Sequence, residues 1–296
     1  MELELWTELS QAICQVQRRA AFNPRDRHPT SLIARVHLWA TLHDRPTCWG
    51  CEPGNWTDKT RPEVLPDQST MSRRMRRADF EEFKMAMEQR WAGKPRSPGL
   101  LPLLKIVDGH ALELPNHSSD PDARWGRGVS RLSLGYKLHL IDAGNPLPEA
   151  FVVTALDVCE KQMAHRMIKR VAGSGYLLGD AHYDASWLFD ACRHHDHLLV
   201  CPRPKPGSGI GHHYQSPQRL RSIQLLEPPG DLDAFGPQLY RQRSGIERTF
   251  AQLVSFGGGL AALPPWVRRI GRVRNWVWAK LLINAARIRI NRSCAA

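Results

Sequence analysis

No acidic residue follows Glu247, although Arg248, Arg268, Arg269, Arg272, Arg274, Lys280, Arg287, Arg289 and Arg292 all do. The tail is therefore uniformly cationic, the pattern of a surface that meets a polyanion. No apolar run is long enough to span a bilayer, and the opening Met-Glu-Leu-Glu-Leu-Trp lacks the positive start and apolar stretch of a signal peptide. A membrane partner is not expected; a soluble, cytoplasmic protein is. The seven cysteines are odd in number and scattered, so no disulfide framework is implied and a reducing compartment suits them. Cys48-Trp-Gly-Cys51 is a single Cys-x2-Cys, and His37 and His43 lie at irregular spacing from it, which argues against a zinc site. The triple glycine at 257–259 lacks the Gly-Lys-Ser/Thr ending of a phosphate loop and reads as a helix stop.

What is present bounds the rest. A chain of 296 residues with 42% hydrophobic content buries a core in one large domain, or in a main domain with a smaller companion. Lysine and arginine total 41 against 29 acids, a formal charge of +12, which favours a nucleic-acid partner.

Apolar residues recur at helical spacing over residues 3–21 and 31–42, the second run preceded by hydroxyls suited to capping. Residues 44–66 are rich in Pro, Gly, Asn and Asp and read as an irregular connection. Asp67-Gln-Ser-Thr then opens a helix carrying Arg73, Arg74, Arg76 and Arg77, the arrangement by which a recognition helix reaches phosphates and base edges. A helix over 79–91 follows, and the Pro- and Gly-rich stretch at 93–99 marks a linker. The expected organisation is a helical DNA-binding domain at 1–98 and a catalytic domain at 99–296 that includes a basic C-terminal helix. That helix shares apolar Ile270, Val273, Val277, Leu281 and Ile288 with its arginines, and its tryptophans read as packing anchors.

Beyond the linker, strand patterns at 101–114, 132–141 and 150–156 predict an antiparallel meander. A helix at 161–172, a strand at 176–178, a helix at 185–194 and a strand at 198–201 follow, giving an α/β fold with a mixed sheet flanked by helices. Residues 202–221 read as a loop.

Three carboxylates stand out. Asp108 closes an apolar strand in Lys-Ile-Val-Asp-Gly-His, although Asp-Gly between apolar runs is the best short-range hairpin signal and, taken alone, reads as a turn. Asp180 follows the strand Tyr-Leu-Leu-Gly, where open α/β sheets bind ligands, and Asp184 is better placed to cap the next helix. Glu247 lies on one helical face with Tyr240 and Arg243 by offsets of three and seven. Together such carboxylates suit two hard divalent cations that clamp the attacking and leaving oxygens of a phosphoryl transfer.

At these residues the sequence resembles the bacterial insertion-sequence transposases of the DDE class, the groups marked by Tyr-x2-Arg-x3-Glu-x6-Lys. Tyr240, Arg243 and Glu247 match that spacing, while Val254 stands at the lysine position and Arg248 is the nearest substitute. The resemblance covers roughly residues 101–253. It implies a ribonuclease H-like fold, Mg²⁺ (with Mn²⁺ substituting) held by Asp108, Asp180 and Glu247, and phosphate contacts by Tyr240 and Arg243. It also implies a double-stranded DNA substrate, cleavage at element ends followed by strand transfer, and a homodimer that pairs two ends. A nuclease that cuts without joining and an inactive DNA-binding descendant remain alternatives.

Overall fold

The computed structural model describes residues 2–19, 26–91, 103–205, 209–210, 213–227, 235–255, 260 and 263–293. The expected linker at 93–99 and the triple glycine at 257–259 lie outside the described residues. The chain forms two compact units, one of Met1–Gly93 with Leu253–Ala296 and one of Lys94–Gln252.

In the first unit, α1 (Glu2–Arg19), α2 (Thr30–Leu42) and α4 (Ala78–Trp91) pack against α10 (Ile270–Ser293). Leu5, Trp6, Leu9, Ile13 and Val16 recur at helical spacing on α1 and are all buried. Between α2 and α4 run two short 3-10 turns, at Trp49–Cys51 and Pro53–Asn55, and then α3 (Gln68–Arg74). The cluster of Trp6, Trp39 and Trp56 rings, with centroids 4.8 to 5.8 Å apart, closes this connection over α2. The Cys51 thiol donates to the Thr47 carbonyl, and burial pushes it up to about 11.

The structure differs here from the domain division drawn above, because α10 packs with the N-terminal helices. Residues 275–286 of α10 are buried throughout, as they must be in a helix that is apolar on nearly every side. Asn275 and Lys280 find partners within the unit: His37 Nε2 lies 3.0 Å from the Asn275 carbonyl oxygen, Lys84 Nζ donates to Asn275 Oδ1 at 2.9 Å, and Lys280 Nζ is 3.3 Å from Asp44. Trp276 and Trp278 are core residues, while Trp266 is partly exposed.

Asp67 caps α3, its carboxylate accepting from the Thr70 amide at 2.8 Å. Arg74, counted among the DNA-contacting residues, is instead buried. It pairs with Asp26 at 2.5 Å and Asp79 at 3.0 Å and donates to the Thr30 hydroxyl. Helical periodicity turns it inward while Arg73 and Arg76 face solvent. Thr30 is drawn into the same network and donates to Asp79 rather than capping α2, whose N-cap is Pro29.

The second unit is a mixed sheet between helices. Its strands are β1 (Leu104–Leu114), β2 (Arg124–Arg127), β3 (Leu132–Asp142), β4 (Ala150–Ala155), β5 (Gly175–Leu178) and β6 (His197–Val200). They lie in the order β2-β3-β1-β5-β6, and β4 pairs with β3 beyond β2. The β1–β3 and β3–β4 pairs form the expected meander; β5 and β6 extend it in parallel on the far side of β1. Asp108-Gly109 does not turn the chain, because β1 continues through it paired with β3 from Ile106 to Leu114. Helices α5 (Glu160–Ile168) and α6 (Ser186–His194) bury Met163, Met167, Leu188 and Phe189 against Val107, Ile141, Leu177 and Leu199 on one face. Part of the stretch read as a loop is α7 (Pro217–Leu226), with Ser216 as its cap and Pro217 in its first turn. A further helix, α8 (Phe235–Arg241), leads through a 3-10 turn at Gln242–Ser244 into α9 (Gly245–Ser255). Among the described residues no helix is long and apolar enough to cross a membrane.

Arg74→Ala removes the buried cation that Asp26 and Asp79 share, leaving the more exposed Arg77 beside them, and is expected to cost about 3 kcal/mol, whereas Arg73→Ala stays within about 0.5 kcal/mol of the parent. Urea denaturation of the two variants measures the contrast; equal losses would remove Arg74 from the structural network.

Candidate active site

Strand register brings the two aspartates together. Ile106 of β1 pairs with Leu178 of the parallel β5, and each aspartate lies two residues further along its own chain. Asp108 and Asp180 therefore reach the same level, at the carboxyl end of β5 and partway along β1, which continues to Leu114. Alternation puts Val107 on the α5–α6 face, so Asp108 faces the opposite side.

That side is covered by α9. Phe250 stacks on His110 with centroids 5.0 Å apart, Thr249 Oγ1 donates to Asp142 at 2.7 Å, and Gly245 lies against Ile106. These contacts seat the start of α9 over β1 and bring Arg243 to Asp108, Nη2 to Oδ2 at 3.2 Å. The other guanidinium nitrogen, Nη1, is 3.6 Å from Glu247 Oε1. Arg243 thus stands between a largely enclosed carboxylate, Asp108 with 17% of its side chain exposed, and an open one, Glu247 with 69%. Arg243 Nε is buried with no hydrogen-bond partner.

Asp180 is not left free as the sequence suggested. It caps the 3-10 turn at Ala181–Tyr183, accepting from the His182 amide at 2.9 Å, with His182 Nδ1 3.1 Å away. Asp184, expected as the helix cap, is engaged by Arg219 at 2.5 and 2.6 Å, and α6 starts from Ala185 without a side-chain cap. Tyr240, expected at a phosphate, is half-buried and donates its hydroxyl to the Gly179 carbonyl at 3.2 Å. It ties the chain just before Asp180 to α8, and burial pushes its phenol up to about 12. Arg248 and Val254 are exposed on α9.

Sequence reading missed the ion pair of Lys137 and Glu160, 2.6 Å apart on the α5 side of β1. Gly109 makes room for it, since a Cβ there would meet Lys137 Cδ at 3.1 Å and Glu160 Cδ at 3.2 Å. The glycine after Asp108 therefore serves close packing rather than a turn.

Among the described residues no three His, Cys, Asp or Glu side chains are grouped so as to hold a metal ion. The donor chemistry still suits a hard divalent cation, because all three groups offer carboxylate oxygens. Asp108 would gain most from such a charge. Burial pushes its carboxyl up to about 6, with Asp180 and Glu160 acting in the same direction and the Gly109 amide and Arg243 opposing.

Because that value lies above the ordinary 3.8, folding favours the protonated acid. The contribution is favourable below about pH 4 and is lost as the pH rises through about 6. Asp108→Asn cannot ionise, so it is expected to stabilise the metal-free protein by roughly 2 to 3 kcal/mol near pH 8, with the gain gone near pH 4. Thermal unfolding of both proteins across this range checks the sign, and identical midpoints near pH 8 would refute it.

Residues 100–280 match the family model described as a transposase DDE domain. Two curated relatives from Variovorax paradoxus, each named alpha-methylserine aldolase, are 25% identical over 185 residues and 27% identical over 186. Each alignment takes in 62% of this chain and 41% of the relative, so the chain spans about two-fifths of their length. No solved structure matches. With its match running over more than half of the sequence, the chain belongs to the transposase DDE domain family.

Proposed function

We propose that this protein is a transposase that cuts double-stranded DNA at the ends of a mobile element and joins the freed 3′-hydroxyl to target DNA, with Asp108, Asp180 and Glu247 as its catalytic carboxylates. The observation that carries the reading is the convergence of Asp108 and Asp180 at the end of β5, with Arg243 linking Asp108 to Glu247. The sheet supports it as well: β4-β3-β1 antiparallel, then β5 and β6 parallel, with β2 added at the edge, is a mixed sheet of the kind expected for a ribonuclease H-like domain. Two copies pairing two element ends would work as a homodimer on DNA. The exposed Arg73 at the end of α3 and Arg76 just beyond it are offered to phosphates, and the helical unit is the DNA-binding part.

Asp108, Asp180 and Glu247 are the residues that would hold Mg²⁺, for which Mn²⁺ would substitute. When bound, the metal supplies Lewis-acid polarisation of the scissile phosphate and activation of the attacking oxygen. The chain's own residues do the positioning. Tyr240 fixes the backbone carbonyl before Asp180, and the 3-10 turn fixes the Asp180 carboxylate. Glu247, largely exposed, is free to turn toward Asp108 once Arg243 releases it. A DNA phosphate gives the Arg243 guanidinium another anionic partner, so substrate binding and assembly of the three carboxylates are coupled. Val254 leaves the family's lysine contact to another cation, for which the exposed Arg248 is the nearest.

A plasmid carrying the gene's native flanks, incubated with Mg²⁺ or Mn²⁺, tests the reading. Wild type is expected to cut at the flank ends and to produce joined target DNA. Asp108→Asn, Asp180→Asn and Glu247→Gln should each lose cleavage by at least about a hundredfold while still binding DNA. Cleavage without joining would make the protein a nuclease, and binding without cleavage a DNA-binding descendant. In the DNA-free protein, Arg243→Ala is expected to bind Mn²⁺ several-fold more tightly than wild type by titration calorimetry, because the competing guanidinium is gone. Weaker binding would show that Arg243 supports the metal site.

A further inference from the structure

The hairpin formed by β2 and the start of β3 carries large apolar side chains into solvent. Trp125 is 47% exposed, Val129 78% and Leu132 65%, and they are interleaved with the exposed Arg127 and Arg131. The hairpin is held in shape. Gly128 donates to the Arg131 carbonyl at 2.8 Å, and the Val129 amide donates to Glu113 at 2.8 Å. Gly126 packs so closely that a Cβ would sit 2.6 Å from the Leu156 carbonyl. Its inner side is thus committed to packing at Gly126 and the buried Ser133, and its outer side presents Trp125, Arg127 and Leu132, which share a face by register. Among the described residues no carboxylate pairs with Arg127 or Arg131.

That outer side is the face on which the catalytic carboxylate lies. Asp108 pairs with Leu140, and Leu132 is eight positions back along the same strand, an even number that returns to the same face. Eight residues at about 3.4 Å each separate the two by about 27 Å, roughly the rise of eight base pairs. A contiguous set of exposed apolar groups marks an interaction surface, and arginines flanking an apolar wedge suit a phosphate-lined minor groove.

We propose that this hairpin is a second contact for duplex DNA, about eight base pairs from the cleavage point, with Arg127 and Arg131 on phosphates and Trp125 and Val129 against the minor groove. The inference rests on the reading that DNA is cut at Asp108, and adds to it a place where the same duplex is gripped. Fluorescence anisotropy with a labelled 30-base-pair duplex, titrated over a range of salt, tests it. The double variant Arg127→Ala, Arg131→Ala is expected to reduce the slope of log affinity against log salt by about two. Trp125→Ala is expected to weaken binding severalfold with the slope unchanged. Thermal midpoints should stay at the wild-type value, since all three side chains are exposed.

Unchanged affinity and slope in these variants, beside metal-dependent cleavage by wild type, would overturn the hairpin contact and leave the proposed function standing. A change confined to the oligomeric state by light scattering would overturn it in favour of a face between copies of this chain. Failure of wild type to bind the duplex at all would overturn both readings.

Discussion

The site depends on one alignment, the parallel pairing that sets Ile106 opposite Leu178. Side chains in a strand alternate, so slipping this register by one residue would move one aspartate to the other face of the sheet. Apolar burial guards against the slip, since Val107, Leu177 and Leu199 must all enter the core beneath α5 and α6. The hydrophobic core therefore specifies the distance between two carboxylates that it never touches. The Gly179 amide still bonds the Val200 carbonyl of β6, and Tyr240 and the 3-10 turn then restrict the segment that follows.

Enclosing Asp108 has an electrostatic cost, visible as its raised carboxyl: burial is the main cause, and Asp180 and Glu160 add to it. One guanidinium offsets it by facing two carboxylates at once. An arginine suits this place better than a lysine, because its planar fork offers separate donors in fixed directions. The same arrangement keeps Glu247 near the site without enclosing it, and an exposed carboxylate can turn at little cost. Rigidity is thus concentrated in the aspartates on the sheet and freedom in the glutamate on the helix, an apportionment that suits a site completed by its substrate.

Much of this was legible in the chain. Alternation marked the strands, a strand-end position marked Asp180, and the helical offset joined Arg243 to Glu247. Asp108 lies inside β1 instead of at its end, and Tyr240 falls on α8, before the 3-10 turn that carries Arg243. The losses have identifiable causes. Arg74 follows the exposed Arg73 on its helix, and only the packing against Asp26 and Asp79 shows that it faces inward. Asp184 does not cap α6 because Arg219, 35 residues beyond it, claims that carboxylate, and no local pattern reports so distant a partner. Short β2 has too few residues for alternation to show, and α7 was masked by the proline- and glycine-rich sequence before it, although Ser216-Pro217 is itself a helix start.

The basic tail teaches a separate lesson about charge. Its lack of acids suggested a surface for a polyanion, yet α10 buries its middle and matches Lys280 to Asp44 and Arg289 to Glu8 within its own unit. Part of the net positive charge is therefore structural, neutralised by acids that lie far away in sequence. Among the cations that folding leaves outward, and so open to a DNA backbone, are Arg73 at the end of α3, Arg76 just beyond it, Arg248 on α9, and Arg127 and Arg131 on the β2–β3 hairpin. Counting charge along the chain identifies the class of partner; which charges remain for that partner is decided by the core.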